Sequence, residues 1–411
     1  MNFLPKASGT RPRVACEIAP QGVTAARSDA TIGPVSAVAS VPLEHGAMAP
    51  GLKPGNLVDR VAIAAAFLKV MEEVGARPNT RTSDVTVIIP DGACRVLLLD
   101  FDSLPSKLSE ALPLVRFRLK KLVPFDADSA MVTFQVMSHS KQLTRVLAVA
   151  IPRDVLAEYE DIAREAGFEA GAVLPSTLAS LAGLDETSPT MTVNVGALSV
   201  TTAITRDGLL LLHRTVDLQI EPAGVPMNIA PELLEPSLPA EFAALPLVSL
   251  EDTQAEWAAQ EALPEHGRNP YAPFDQEESA VQNIDGITSL PVPPVFADLE
   301  PSSHHHETDD SISSHAGEAL PPSEFSLEVA QAVNVAAAYF EDTLAEMPST
   351  ILCGGTLSAS SFQRMLEAQG VAEANGMRVR ELVSSEAVSA EAVSSRIPRG
   401  WMAGVVGALR G

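Results

Sequence analysis

The sequence predicts an α/β protein built from two similar halves. Each half opens with two apolar runs joined by a tight turn, at 14–18 and 23–27 in the first half and at 191–195 and 199–205 in the second. Short apolar runs separated by turn residues are typical of β-hairpins. Each half then continues through further strands to a closing helix. The repeated order of elements indicates a duplicated architecture.

Composition excludes several functional classes. The chain has 411 residues, with 28 Lys and Arg against 52 Asp and Glu, and a formal net charge of −24. Such acidity argues against a nucleic-acid partner, because neutralising phosphates requires clustered basic residues. No apolar run is long enough to span a bilayer, and the first residues lack the apolar core of a signal peptide. Three separated cysteines give neither a disulfide framework nor a metal-binding spacing. These features predict a reduced, cytoplasmic protein without a membrane span.

The negative charge is concentrated in one tract. Residues 221–324 contain 20 acidic residues, one basic residue and 15 of the 32 prolines. A segment of this composition cannot bury enough apolar surface to offset the entropy lost on ordering. We therefore predict a disordered acidic insertion at 221–324. Its three consecutive histidines, 304–306, are assigned to low-complexity sequence rather than to a metal site.

In the first half, the two strands of the hairpin precede a helix. Apolar residues recur at helical spacing up to Val74, Asn56 is a plausible N-cap, and Gly75 ends the helix.

The middle block predicts strands at 85–90, 93–100, 131–137 and 145–151. A helix at 106–122 is expected to be kinked or divided at Pro113. Its end carries four basic residues, Arg116, Arg118, Lys120 and Lys121. They form either a solvated face or a surface for an acidic partner, the acidic tract included. A helix at 154–166, a strand at 172–174 and a short helix at 175–184 follow.

The second half continues its hairpin with a turn at 206–208 and a strand at 209–216. After the acidic tract, a helix is expected at 326–345. A buried strand at 351–353 should end in a turn at Gly354 and Gly355. Two further helices are expected, at 358–369 and 401–409.

Local motifs then point to a family. The segment 193–196, with Ser199 and the 206–208 turn, resembles the second phosphate-binding hairpin of the actin-like (ribonuclease H-like) ATPase superfamily. The segment 351–355 is similar to its adenosine-binding strand and turn. The order of 88–91, 97–101 and 122–125 resembles the PilM family of type IV pilus assembly proteins, and GspL of type II secretion is similar there.

The resemblance implies a duplicated actin-like fold with a strand-strand-helix-strand insertion subdomain and the long acidic insertion. The implied divisions are 12–81 and 152–184 for the first half, 82–151 for the insertion subdomain, and 190–220 and 325–411 for the second half, with 221–324 as the acidic insertion.

The resemblance also implies an ATP site, which this sequence alters. Its candidate residues are Glu17, Asn194, Gly196, Ser199, Gly354 and Gly355. The first hairpin of the family carries Asp-Ile-Gly, whereas Ala19 and then Pro20 stand here in place of the glycine, which removes a close backbone approach to phosphate. Asn194 replaces an acidic residue that helps to hold Mg²⁺. The prediction is a pseudo-ATPase without catalytic or metal-binding residues, and weak binding of ATP with Mg²⁺ is the only cofactor implied.

The function implied by the resemblance is a cytoplasmic scaffold of type IV pilus assembly. It would bind the cytoplasmic tail of a PilN-like inner-membrane protein, meet other pilus platform proteins, and lie at the inner membrane through that partner. Self-association stays open. The alternatives are an active ATPase or sugar kinase of the superfamily, a GspL-like secretion platform protein, and an FtsA-like adaptor. Asn194 and Ala19 count against the ATPase or kinase, and the glycine-rich C-terminus counts against FtsA.

Overall fold

The computed structural model describes residues 12–29, 33–78, 84–140, 143–184, 188–218, 323–371, 377–389 and 397–410. The acidic insertion predicted at 221–324 lies outside these residues, apart from its last two, which begin a helix.

The first half contains a five-stranded sheet. Its elements, with the insertion between them, are β1 (Val14–Ala19), β2 (Gly22–Arg27), β3 (Ala37–Pro42), α1 (Arg60–Glu73), β4 (Asp84–Ile89), β5 (Arg95–Phe101), α2 (Leu108–Leu119), β6 (Met131–His139), β7 (Thr144–Ile151), α3 (Arg153–Glu165), β8 (Glu169–Pro175) and α4 (Ser176–Ala182).

The second half contains a second five-stranded sheet and leads into a C-terminal helix. Its elements are β9 (Thr190–Val195), β10 (Ser199–Arg206), β11 (Leu209–Asp217), α5 (Ser323–Leu344), β12 (Thr350–Gly355), α6 (Ala359–Ala368), β13 (Arg378–Glu381) and α7 (Ala403–Arg410).

The two sheets have the same strand order. The first runs β3-β2-β1-β4-β8 and the second β11-β10-β9-β12-β13. In each, an antiparallel meander of three strands is extended by two parallel strands. This correspondence confirms the predicted duplication.

Each sheet has its own apolar core. In the first, Phe67 of α1 and Tyr159 of α3 are fully buried against β1 and β4; in the second, Phe340 of α5 and Phe362 of α6 are buried against β9 and β12. Parallel strands covered on both faces read as continuous apolar runs, which is why the central strands were predictable.

The insertion is a separate three-stranded sheet, β5-β7-β6, packed against α2. Leu99, Val115, Leu119 and Val146 form its core. Within the block expected at 82–151, β4 pairs with β1 and β8, so that strand belongs to the first half and the small sheet begins at Arg95. The insertion itself has the order strand-helix-strand-strand.

Several local predictions need correction. The N-cap of α1 is Asp59, whose Oδ1 accepts from the backbone N of Ala62 at 2.9 Å; Asn56 is instead buried and accepts from the hydroxyl of Tyr159 at 3.2 Å. Pro113 lies inside α2 without dividing it. Helix α5 begins at Ser323, before the predicted start at 326. The edge strands β3 and β13 were not predicted.

Helices α4 and α7 cross in close contact. A Cβ placed on Gly407 would lie 2.2 Å from the carbonyl oxygen of Ala179, and one on Gly183 would lie 3.0 Å from the Cα of Gly407. Glycine is therefore required for the backbones to approach this closely. The crossing fixes the floor of the cleft between the two halves.

Candidate functional site

A narrow cleft lies between the two halves, where the carboxyl ends of the central strands meet. Its floor is formed by buried polar side chains, and the space that water-sized molecules can occupy within it is about 40 Å³. The walls are the β1–β2 turn, the β9–β10 turn, the end of β12 and the segment 400–404. Ligand sites of open α/β sheets lie at this edge.

Glu17 of β1 is a buried carboxylic acid in this floor, 7% exposed. Its Oε1 accepts a hydrogen bond from the hydroxyl of Ser176 at 2.6 Å. Burial raises the pKa of Glu17 to about 7, the nearby Asp91 adds to the rise, and the Ser176 hydrogen bond opposes it. Near neutral pH this carboxyl group is therefore divided between its neutral and charged forms.

Asp91 follows β4 and is buried beside α4. Its carboxylate accepts from the backbone N of Thr177 at 3.2 and 3.3 Å and from the Thr177 hydroxyl at 2.5 Å. The Nε2 atom of His213 lies 3.9 Å from Asp91 Oδ1. Burial lowers the pKa of His213, although Asp91 opposes this effect, so the imidazole is neutral at pH 7.

Asn194 links the second half to this cluster. Its Nδ2 atom donates to the hydroxyl of Ser176 at 3.1 Å and to the hydroxyl of Thr177 at 3.0 Å. Both acceptors belong to α4 in the first half. The amide thus spans the floor of the cleft.

The β9–β10 turn brings Gly196 and Ser199 to the cleft. The backbone N of Gly196 donates to the carbonyl oxygen of Ser199 at 2.8 Å, and a Cβ on Gly196 would lie 3.0 Å from that oxygen. This N–H group closes the hairpin and is not directed at a ligand.

Gly354 and Gly355 continue β12 as its last two residues, opposite Asn194 and Val195 of β9. The predicted turn at these glycines is therefore wrong. Gly355 has φ of +93°, and a Cβ there would lie 2.1 Å from the carbonyl oxygen of Val195. A Cβ on Gly400 would lie 2.2 Å from the carbonyl oxygen of Gly355. These glycines allow three backbone segments to pack together at the rim.

The residues present match Mg-ATP poorly. The described residues that line the cleft include three carboxylates, Glu17, Asp91 and Asp217, and neither Lys nor Arg. Across the described part of the chain, no group of three or more His, Cys, Asp or Glu side chains could hold a metal ion. A triphosphate would thus meet negative charge without a side-chain cation to balance it. Asn194 offers an amide oxygen, not a carboxylate, where the resemblance implies a metal-holding acid.

Ser176, Thr177, Asp91 and His213 were not among the predicted site residues. The first three follow the carboxyl ends of β4, which pairs in parallel with β1, and of β8, which pairs in parallel with β4. Because such ends meet at one edge of a sheet, polar residues directly after these strands were a usable signal. His213 carried none, because it lies in the middle of β11 and only the pairing of the halves brings it to Asp91.

The basic stretch of α2 is largely engaged by its own subdomain. The guanidinium of Arg116 donates to the carbonyl oxygens of Ala127, Asp128 and Ala130. Arg118 donates to the carbonyl oxygen of Asp100 at 2.8 Å, and Lys120 pairs with Asp128 at 2.5 Å.

The ammonium group of Lys121 lies 5.9 Å from the ring centroid of Phe117, which is 64% exposed. The ring of Phe117 therefore presents apolar surface on the exposed side of α2.

Comparison with solved structures identifies the architecture. A PilM–PilN type IV pilus biogenesis complex matches 97% of this chain and 97% of its own chain, at 13% identity and a TM-score of 0.57. The chain has the actin-like fold. The cytoplasmic domain of EpsL, an inner membrane component of the type II secretion system of Vibrio cholerae, covers 50% of this chain and 70% of its own, at 13% identity and a TM-score of 0.33. A ROK hexokinase from Thermus thermophilus covers 96% of both chains, at 13% identity and a TM-score of 0.31.

No family model and no curated protein matches the sequence. Within the described ranges, no helix combines the length and apolarity needed to cross a bilayer.

Proposed function

We propose that this chain is a scaffold of type IV pilus assembly that binds the cytoplasmic tail of a PilN-like inner-membrane protein. The observation that carries the proposal is the match over nearly the whole of both chains to a chain of a PilM–PilN type IV pilus biogenesis complex. The match includes the region of the inserted sheet. Through this partner the chain would lie at the inner membrane.

The proposed scaffold has a degenerate nucleotide site and no ATPase activity. Support comes from the cleft, where Asn194 is hydrogen-bonded to Ser176 and Thr177 and where the described lining residues carry no side-chain cation. ATP hydrolysis requires a placed metal ion and an activated water. We infer that this cleft supplies neither, since Asn194 stands in place of a metal-holding acid and Ala19 and Pro20 in place of a glycine.

We propose that the tail binds as an extended peptide in a groove beside the insertion subdomain. Extended peptides bind by adding to an exposed sheet edge, with pockets that receive alternate side chains. The small sheet offers such an edge at β6, which pairs only with β7 among the described strands. Val136 of β6 is 45% exposed on this strand.

A tail peptide carrying a photo-reactive group tests the proposal. The full-length protein is titrated with the cytoplasmic tail of a PilN-like protein from the same gene cluster, and a scrambled tail of identical composition is the control. We expect saturable binding of the native tail only, with cross-links that map to residues 95–151. Equal binding of both peptides, or no binding at low salt, would overturn the pilus assignment.

A further inference from the structure

The hydroxyl groups of Ser176 and Thr177 have their single hydrogens committed to the first half. Ser176 donates to Glu17 Oε1 at 2.6 Å, and Thr177 donates to Asp91 Oδ2 at 2.5 Å. A hydroxyl group has one hydrogen to donate and can accept with its lone pairs. Toward β9, both hydroxyl oxygens therefore present only acceptors.

Asn194 supplies the donors that these oxygens need. The side-chain amide carries two N–H groups, and they point to the Ser176 and Thr177 oxygens at 3.1 and 3.0 Å. An aspartate at this position would be acceptor-only when ionised and would face two oxygens without free hydrogens. It would also add a third negative charge beside Glu17 and Asp91.

We propose that Asn194 is a latch that joins the two halves across the floor of the cleft by hydrogen bonds, in the place where a nucleotide or metal ion would otherwise bridge them. This inference rests on the part of the proposed function that gives the cleft no nucleotide role. By the resemblance, ATP would join the two hairpins across the cleft. Here the side-chain amide makes the cross-cleft link.

Burial makes the latch effective. Glu17, Asp91, Ser176 and Thr177 are 7%, 5%, 8% and 0% exposed, so water competes little for their hydrogen bonds. Hydrogen bonds in such surroundings are stronger, and an unpaired partner costs more, than at the surface. Opening the halves would break both hydrogen bonds of the Asn194 amide, which is itself half-buried.

Hydrogen–deuterium exchange on the full chain tests the latch. The variants are Asn194→Ala, Asn194→Asp, Thr177→Val and Thr177→Ser. Asn56→Ala is the matched control, because Asn56 is a buried asparagine whose hydrogen bonds to Gly51, Lys53 and Tyr159 lie within the first half.

In the absence of nucleotide, we expect Thr177→Val, which removes one of the two hydrogen bonds of Asn194, to raise exchange about tenfold in segments 176–184 and 190–196. Asn194→Ala removes both bonds and should raise exchange further. Asn194→Asp should exceed both, and Thr177→Ser, which keeps the hydroxyl, should match the native protein. Asn56→Ala should raise exchange near 47–60 and leave both cleft segments unchanged.

The latch proposal would be wrong if Asn194→Ala and Thr177→Val exchanged at the rate of the native protein in both cleft segments. An increase spread over the chain in the pattern of Asn56→Ala would also overturn it. A separate arm adds Mg-ATP to the native protein. Slower exchange at the cleft in that arm would refute the degenerate nucleotide site, while the latch is still judged by the variants without nucleotide.

Discussion

Gly404 lies against the carboxyl group of Glu17, so closely that a Cβ at position 404 would be 2.4 Å from Glu17 Oε2. The first turn of α7 thus covers one side of this acid, and the hydroxyl of Ser176 holds the other. The carboxyl group is enclosed between a strand of the first half and the C-terminal helix. Its ionisation should therefore affect the stability of the whole fold.

We predict that Glu17→Gln stabilises the protein at alkaline pH. The pKa of Glu17 rises from 4.5 to about 7 on folding. The contribution of this carboxyl group to the free energy of unfolding is therefore fully present below pH 4.5 and is lost as the pH rises through 7. At pH 8 the variant should gain up to about 3 kcal/mol in the free energy of unfolding. Urea denaturation between pH 5 and pH 8 measures this gain, with the exposed Glu44→Gln as the control. A gain that does not shrink toward pH 5 would contradict the assignment.

The ionisation of His213 should change stability with pH in the opposite direction to that of Glu17. Burial lowers its pKa below 6.5 in the folded state, so its contribution is present above pH 6.5 and is lost as the pH falls and the unfolded chain gains a proton. We expect His213→Gln to lose less stability than the native protein between pH 7 and pH 5. The exposed His45→Gln is the matched control. The same acid sensitivity in native protein and His213→Gln would show that this imidazole is not responsible.

The crossing of α4 and α7 should be intolerant of a methyl group. Gly407→Ala would place a Cβ 2.2 Å from the carbonyl oxygen of Ala179, an atom of rigid helix backbone. Overpacking of this kind costs about 1–3 kcal/mol, which exceeds the gain in helix propensity of about 1 kcal/mol. Thermal unfolding should show a lower Tm. Gly51→Ala, whose Cβ would lie 4.0 Å from its nearest neighbour, the carbonyl oxygen of Ala49, should leave the Tm nearly unchanged. Equal effects of the two changes would argue against the close crossing.

The three cysteines should be unreactive in the folded protein. Cys16, Cys94 and Cys353 are all buried, and burial raises the pKa of each thiol. Because the thiolate is the reactive form, a thiol-specific reagent should label none of them in native buffer and all three in denaturant. Rapid labelling of native Cys353, a core thiol of the second half, would mean that β12 opens to solvent.

Nucleotide should bind weakly or not at all. Calorimetry with Mg-ATP up to about 1 mM should show no saturable heat; a Kd of that size corresponds to a binding free energy near −4 kcal/mol. A phosphate-release assay should show no turnover. The reasons are Asn194 in place of a metal-holding acid and the absence of Lys and Arg from the described lining of the cleft. Micromolar binding with turnover that Asn194→Ala abolishes would favour an active ATPase instead.

Regular elements with strong local signals were predictable from the sequence. Strand β4 is buried and almost continuously apolar from Val85 to Ile89, and β9 alternates Met191, Val193 and Val195 with polar residues; both patterns are typical of strands. Strand β3, by contrast, pairs with β2 alone among the described strands, and β13 has four residues that alternate between exposed and half-buried. Edge strands carry little of the apolar pattern that identifies central ones. Their position depends on tertiary pairing.

The site was predictable only in part, for a similar reason. Glu17 and Asn194 were found because each belongs to a hairpin with a recognisable motif. Their shared partners, Ser176 and Thr177, lie at the start of a short helix with no motif of its own. The polarity of the network, with hydroxyl hydrogens directed at one half and amide hydrogens at the other, arises from contacts between residues up to 159 positions apart. Spacing along the chain cannot reveal it.

The contact between Gly183 and Gly407 has a mechanical consequence. Helix α4 leads from the first half toward β9, and α7 follows β13 and returns to pack on α4 and β1. At these glycines the two helices meet backbone against backbone. Side chains at either position would hold the helices apart. The way in which the C-terminal helix joins the first half therefore depends on residues that carry no side chain.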